Sequence, residues 1–153
     1  MTTAELVSGL ALEIKKATER IRFPTEYADE PSDYVKVNVF EQYLPADLFE
    51  QTSYYPCVVV EWLETHDTLN SGSLMTVGLT MGVYAKEADG YLDAFHLMET
   101  IRAHLLSQRV IANRFRLKGE VTWEQPSEQP TPFFFIVAEL TYNALLTPEI
   151  LKR

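Results

Sequence analysis

Apolar residues recur along the chain at two different periods, and these periods divide it into helices and strands. Near the N-terminus they recur every three or four positions, which is typical of an amphipathic helix. The residues on this stripe are Leu6, Leu10, Ile14, Ala17 and Ile21. We expect the helix to cover about residues 3–22 and to end before Pro24, because proline disfavours helical geometry in the residue before it.

Three strands are predicted after this helix. Residues 34–40 alternate between valine and other side chains, which indicates a strand with one buried face. Residues 56–64 are so dense in apolar side chains that we expect a central strand covered on both faces. Residues 73–85 alternate strictly, and a turn at 66–72 joins them to the preceding strand in a long hairpin.

A second amphipathic helix is predicted from Gly90 to about Ser107. Asp89 is well suited to cap its N-terminus, because its side chain can accept hydrogen bonds from free backbone amides. The apolar stripe of this helix consists of Tyr91, Ala94, Phe95, Met98, Ile101 and Leu105.

The last part of the chain predicts three more strands. Two short ones cover residues 110–116 and 120–124, with Lys118-Gly119 between them, and the last covers residues 133–144. Strands therefore cluster between the helices, which favours an α+β fold with a mixed, mainly antiparallel sheet and both helices packed on one face. We expect one domain over residues 1–153, with the sheet and second helix within about 34–145.

The sheet face opposite the helices is also predicted to carry apolar side chains. On the last strand these are Phe133, Phe135 and Val137. Since an apolar face without a cover marks an interaction site, we expect it to be buried against another copy of the chain.

Composition and charge narrow the function classes. The chain is 46% hydrophobic with a formal net charge of −9, which suits a globular protein and disfavours tight binding to a phosphate backbone. A weak basic cluster, with Phe115 interleaved, forms either a nucleic-acid patch or, as we favour, part of a subunit interface, where arginine is common. Its members are Arg109, Arg114, Arg116 and Lys118. No apolar run approaches the roughly 20 residues that span a bilayer, so we expect no membrane partner.

Candidate chemistry is sparse. Cys57 lies in a valine run, which favours a small buried hydrophobe over a nucleophile. His66, His96 and His104 lack metal-binding spacing. Three strand carboxylates could form an acid–base pair, but we expect them to face solvent or a neighbouring subunit: Glu61, Glu64 and Glu139. We therefore predict no catalytic residue, no metal, no cofactor and no enzymatic activity.

The order of motifs over about residues 34–145 resembles the tail terminator, or tail completion, proteins of long-tailed (siphovirus-like) phages and prophages. The motifs, in chain order, are Val37-Asn38-Val39, Tyr43-Leu44-Pro45, Tyr55-Pro56-Cys57-Val58-Val59-Val60, Gly82-Val83-Tyr84, Asp89-Gly90-Tyr91-Leu92-Asp93, Ile101-Arg102, Val121-Thr122-Trp123 and Pro132-Phe133-Phe134-Phe135. Each is weak alone, and their order and spacing carry the resemblance.

The resemblance implies a structural protein that forms a ring, usually a hexamer, on the head-proximal end of the tail tube. Such a ring ends tube growth and joins the tail to the head connector, and DNA passes through its hole without specific binding. Its partners would be copies of itself, the tail tube protein and the connector. It would be made in the host cytoplasm and located in the virion. The family also gives two parts of the chain a place in ring contacts: the long hairpin, and Asp89-Gly90-Tyr91 at the start of the second helix.

Two other functions are compatible with the sequence. One is a head-completion, connector or tail-tube protein. The other is a small α+β enzyme or ligand-binding module, which predicts a monomer or dimer with a polar pocket.

Overall fold

The computed structural model describes residues 2–25, 28–42, 52–70, 72–85, 87 and 89–144. The elements in these residues are α1 (Thr2–Thr18), β1 (Asn38–Glu41), β2 (Cys57–Thr68), β3 (Gly72–Tyr84), α2 (Tyr91–Ser107), β4 (Val110–Ile111), β5 (Phe115–Glu124) and β6 (Phe133–Ala144). The predicted order of helix, three strands, helix and three strands is confirmed. The Tyr43-Leu44-Pro45 motif lies outside the described residues.

The six strands form one mixed sheet in the order β1-β2-β3-β6-β5-β4. β1 is parallel to β2, and every other neighbouring pair is antiparallel. The α+β class and the mainly antiparallel sheet are therefore confirmed. The last strand of the described residues, β6, lies between β3 and β5, in the middle of the sheet.

Both helices cover the same face of the sheet. Alternate β3 side chains from Met75 to Val83 point towards the helices and are at most 2% exposed. They pack in one core with Leu10 of α1, Ile101 of α2 and Tyr142 of β6. We call the sheet face opposite the helices the open face.

Helix α1 is shorter than predicted, because it ends at Thr18 and not near residue 22. Phe23 forms a two-way backbone bridge with Val35, with N–O distances of 3.0 and 2.9 Å. The chain must be extended at Phe23 to make this bridge, so the helix stops earlier than Pro24 alone requires. The same bridge occupies Val35, and β1 begins only at Asn38.

Helix α2 begins at Tyr91 with Gly90 as its N-cap residue. The predicted Asp89 cap is wrong by one residue. The Asp89 backbone carbonyl accepts a hydrogen bond from Leu92, while no side chain caps the helix.

The two predicted short strands are also wrong in their boundaries. β5 runs through Lys118 and Gly119 without a turn. Gly119 has a φ of +66° and lies where the pairing with β6 shifts between Lys118 and Thr122, so it forms a bulge and not a loop. The turn comes earlier, at Ala112 and Asn113, which both have positive φ.

The β2–β3 hairpin is confirmed and is longer than predicted, since residues 66–68 belong to β2 and not to the turn. Only the first half of β2 is central. β1 pairs with β2 from Cys57 to Val60, and these four residues are buried, whereas Trp62 to Thr68 are exposed. The expectation that this strand is covered on both faces holds for its first half alone.

Candidate assembly surfaces

A closed aromatic cluster occupies one end of the open face. Phe133 and Phe135 are only 9% and 5% exposed. Tyr55, which precedes β2, stacks on Phe133 at 4.3 Å between ring centroids and meets Phe135 edge-on at 5.8 Å. The expectation that these two phenylalanines form an uncovered apolar face is therefore wrong, because Tyr55 of the same chain covers them.

Gly82 of β3 makes room for this cluster. A Cβ at that position would lie 2.6 Å from a ring carbon of Phe135 and 2.9 Å from one of Tyr55. Such distances are far below van der Waals contact, so only glycine fits beneath the two rings. The presence of glycine on a strand face was the sequence signal for this close approach.

The predicted arginines have different surroundings. Arg114 forms an ion pair with Glu5 of α1 and lies over the Phe115 ring at 5.4 Å. It thus holds the β4–β5 turn against α1. Arg116 is exposed on the open face, beside Asn143 of β6.

Val137 is half-buried on the open face, but it lies at a different level along the strands from Arg116. It pairs with Glu124 of β5, six residues along β6 from Asn143, which corresponds to about 20 Å. The structure therefore does not bring Val137 and Arg116 together.

An exposed apolar surface surrounds the start of α2, and we call it the α2 patch: Tyr91, Leu92, Phe95 and Phe134. Tyr91 contacts Phe95 and Phe134 at centroid distances of 5.4 and 6.2 Å. Leu92 is 51% exposed. The predicted residues Asp89 and Tyr91 both lie here and are exposed. Tyr91 and Phe95 were predicted on the apolar stripe of α2, but each is 39% exposed.

A second exposed apolar surface lies on the β2–β3 hairpin, and we call it the hairpin patch: Leu63, Leu69 and Leu74. Trp62 is also exposed, but it lies on the opposite, helix-covered side of the same hairpin. Leu69 is fully exposed. Leu63 covers Gly78, where an added Cβ would lie 3.2 Å from a Leu63 methyl group. Alternation alone could not predict this patch, because its exposure depends on where β1 stops.

The two patches are at opposite ends of the sheet. β3 starts at Gly72 beside the hairpin tip and ends at Tyr84, and Val83 pairs with Phe134 of the α2 patch. At about 3.3 Å per residue, the thirteen residues of β3 place the hairpin tip, where Leu69 lies, about 40 Å from the α2 patch.

The strand carboxylates line the open face between these ends. Glu61 and Glu139 lie on either side of Gly78 in one row, and both border a shallow cavity of about 150 Å³. Glu64 and Glu139 are exposed and Glu61 is half-buried.

A larger cavity of about 480 Å³ lies beside the start of α2, and four of its lining residues are acidic: Asp29, Glu87, Asp89 and Asp93. Burial, and then the negative charge of Asp89, raises the pKa of Asp93. Among the described residues, no group of three or more His, Cys, Asp or Glu side chains is arranged to hold a metal ion.

The cysteine and the histidines have ordinary structural surroundings. Cys57 is 1% exposed, and burial raises the pKa of its thiol to about 12, which confirms the interpretation as a buried hydrophobe. His96 packs against Phe23 at 5.7 Å. His104 hydrogen-bonds Glu13 of α1 at 2.8 Å, and His66 lies in β2 and not in a turn.

Neither α1 nor α2 is long and apolar enough to cross a membrane, and the described part of the chain has no other α-helix. No model of a known protein family matches this chain. No curated protein matches its sequence significantly.

Proposed function

We propose that this chain is an assembly subunit of a long-tailed phage or prophage, and that it forms a hexameric ring on the head-proximal end of the tail tube. The ring ends tube growth and joins the tail to the head connector. The observation that carries this proposal is the pair of exposed apolar patches at opposite ends of the sheet.

A protein that joins two structures needs a separate surface for each. The hairpin tip, where Leu69 lies, and the α2 patch are about 40 Å apart along β3, so one subunit can contact the tail tube at one end and the connector at the other. Leu69 is fully exposed at the hairpin end and Leu92 is 51% exposed at the other. Exposed groups of large apolar side chains mark interaction sites in soluble proteins.

The charge of the subunit supports a passage for DNA without binding. The chain carries a net charge of −9, and six copies around a hole would repel the phosphate backbone. Arg114, a member of the predicted basic cluster, is already paired with Glu5, which weakens the alternative of a nucleic-acid patch. The protein would act without a cofactor, be made in the host cytoplasm and remain in the virion.

The solution mass of the purified protein, measured by light scattering and imaged in negative stain, tests the ring. We expect a closed ring with a mass near six times the 17.5 kDa of the chain, formed alone or on addition of tail tubes. An open-ended filament would instead support a tail-tube protein. A compact dimer that ignores tail tubes would support a ligand-binding module or small enzyme.

A further inference from the structure

We propose that the outer edge of β2 in one copy docks against the outer edge of β5 in the next copy, with Trp62 entering a groove beside β5 and Glu64 meeting Lys118. This inference rests on the proposed ring and names its subunit contact. A ring with cyclic symmetry needs two different surfaces on each subunit, and the two edges of the sheet differ in shape and charge.

Both edges have a free segment within the described residues. On one side, β1 pairs with β2 only as far as Val60, and the Gln42 side chain accepts the next hydrogen bond, from the Trp62 amide. On the other side, β4 pairs only with Phe115 and Arg116 of β5. The Leu117 amide of β5 still donates to the Arg109 carbonyl at 2.7 Å. Beyond Leu117 and Val60, no described strand pairs with the outer edge of β5 or β2.

Trp62 is the large apolar side chain on the β2 edge, and its indole Nε1–H donates a hydrogen bond to the Thr65 hydroxyl at 2.8 Å. It pairs with Val77, so its indole is on the helix-covered side of the sheet, and it is 37% exposed. A tryptophan at the margin of a sheet offers a large apolar surface, and such residues often carry much of the energy of an interface.

The β5 edge has a groove on that same side of the sheet. Its volume is about 340 Å³, and it lies between α2 and β5, lined by Arg102, Leu106, Arg109, Leu117, Gly119, Val121 and Trp123. The lining combines apolar side chains with two arginines, a composition that accepts an aromatic ring and favours cation–π contact. A Cβ added at the Gly119 bulge would meet no atom within 4 Å, so the groove is open at the edge.

Trp62 and the groove lie at the same level along the strand direction of the sheet. Trp62 pairs with Val77, and Val77 pairs with Leu140 of β6. On β5, the level of Leu140 falls between Lys118 and Thr122, which is the bulge. A neighbouring copy placed side by side, without a large shift along the strands, therefore presents Trp62 to the groove.

Charge favours the same alignment on the open face. Glu64 lies in one row with Thr76, Thr141 and Lys118. Both Glu64 and Lys118 are exposed, and neither forms an ion pair within the described part of the chain. Side-by-side copies therefore place the free Glu64 carboxylate opposite the free Lys118 ammonium group. This pair of opposite charges favours the side-by-side alignment over alignments that bring like charges together.

Charge reversal tests this contact. We expect Glu64→Lys alone and Lys118→Glu alone to weaken association by roughly tenfold or more, because like charges would then face each other at every contact. Mixing the two variants should restore the ring, since copies in alternating order again place opposite charges at every contact, and such an order closes only with an even number of subunits. The double variant Glu64→Lys with Lys118→Glu should also form rings by itself.

The matched controls are Glu19→Lys and Lys15→Glu, which change the net charge equally at exposed positions near the end of α1. They should leave the ring mass unchanged, and circular dichroism should show all variants folded. Trp62→Ala should weaken association as strongly as a single charge reversal.

Two outcomes distinguish failure of the proposed edge contact from failure of the proposed ring. If the wild-type chain forms rings and the single reversals do too, or if the mixture does not recover, the edge contact is overturned and the ring stands. If the wild-type chain stays monomeric both alone and with tail tubes, the proposed function and the contact both fail.

Discussion

The Tyr55 side chain covers one end of the open face, so this end is not free for a partner. Its ring lies flat on Phe133 at 4.3 Å and is itself fully buried. The pattern of β6 shows that Phe133 and Phe135 share a face, but it cannot show that a residue from the start of β2 folds over them. A prediction made from one strand therefore places these phenylalanines in an interface that the subunit itself occupies.

The buried position of Phe135 gives a stability prediction. We expect Phe135→Ala to lower the free energy of unfolding by about 3 kcal/mol, because it removes a ring from a closed cluster. Urea denaturation of the monomer measures this loss. The control is Phe95→Ala, whose ring is 39% exposed and whose loss should cost about 1 kcal/mol or less. Equal small losses would show that the Tyr55 cluster is open in solution.

The Glu13–His104 hydrogen bond connects α1 to α2 and gives a pH prediction. Burial would raise the pKa of Glu13, but the hydrogen bond with His104 and the charge of Lys16 lower it overall. A carboxyl with a lowered folded-state pKa contributes stability above its ordinary pKa of 4.5, and this contribution is lost as the pH falls through the lower folded-state value.

We therefore expect Glu13→Gln to be less stable than the wild type at pH 7, by roughly 1 kcal/mol, and this difference to shrink below about pH 4.5. Thermal unfolding across pH measures it. Glu19→Gln, at an exposed position just after α1, should show no such dependence. A difference that stays constant from neutral to strongly acidic pH would mean that ionisation of Glu13 does not contribute to stability.

At the scale of elements, an uninterrupted pattern of alternating residues was sufficient to predict a strand and its bounds. β6 covers Phe133–Ala144, as predicted, because twelve alternating residues leave no competing interpretation. Lys118-Gly119 resembles a turn by composition, yet Gly119 provides the positive φ of a bulge. The true turn uses Ala112 and Asn113 at positive φ. Alanine rarely adopts a positive φ, so the local composition did not predict a turn at these residues.

The candidate surfaces were less predictable than the elements. Tyr91 was predicted at the start of α2, where the exposed patch lies. The exposure of Trp62 depends on β1 ending at Glu41, where its pairing with β2 stops at Val60. Contacts between segments distant in sequence thus determine which side chains remain at the surface, and a single-sequence pattern does not contain them.

The β2–β3 hairpin gives a prediction about the ends of the subunit. Leu69→Asp combined with Leu74→Asp should leave the fold and the ring intact, because both side chains are exposed and lie away from the proposed edge contact. We expect the variant ring to lose binding to one of its two partners, measured by co-sedimentation with tail tubes or with connectors. Leu12→Asp, at a 53% exposed position of α1, is the matched control, and an equal effect there would show that the hairpin has no special role.

At the scale of the whole molecule, the sheet gives the subunit distinct ends and distinct edges. The ends carry the hairpin tip and the α2 patch, about 40 Å apart, and the edges carry Trp62 and the groove beside β5. In the proposed ring, the ends would contact the two larger structures and the edges would contact neighbouring copies.

The most direct test is to add the purified chain to tail tubes assembled from the tube protein of the same phage, and to image the tubes in negative stain. The proposed function predicts one ring of density on one end of each tube and no further growth when more tube protein is added. Tubes that bear no ring and continue to lengthen, or that bind the chain along their sides, would contradict it.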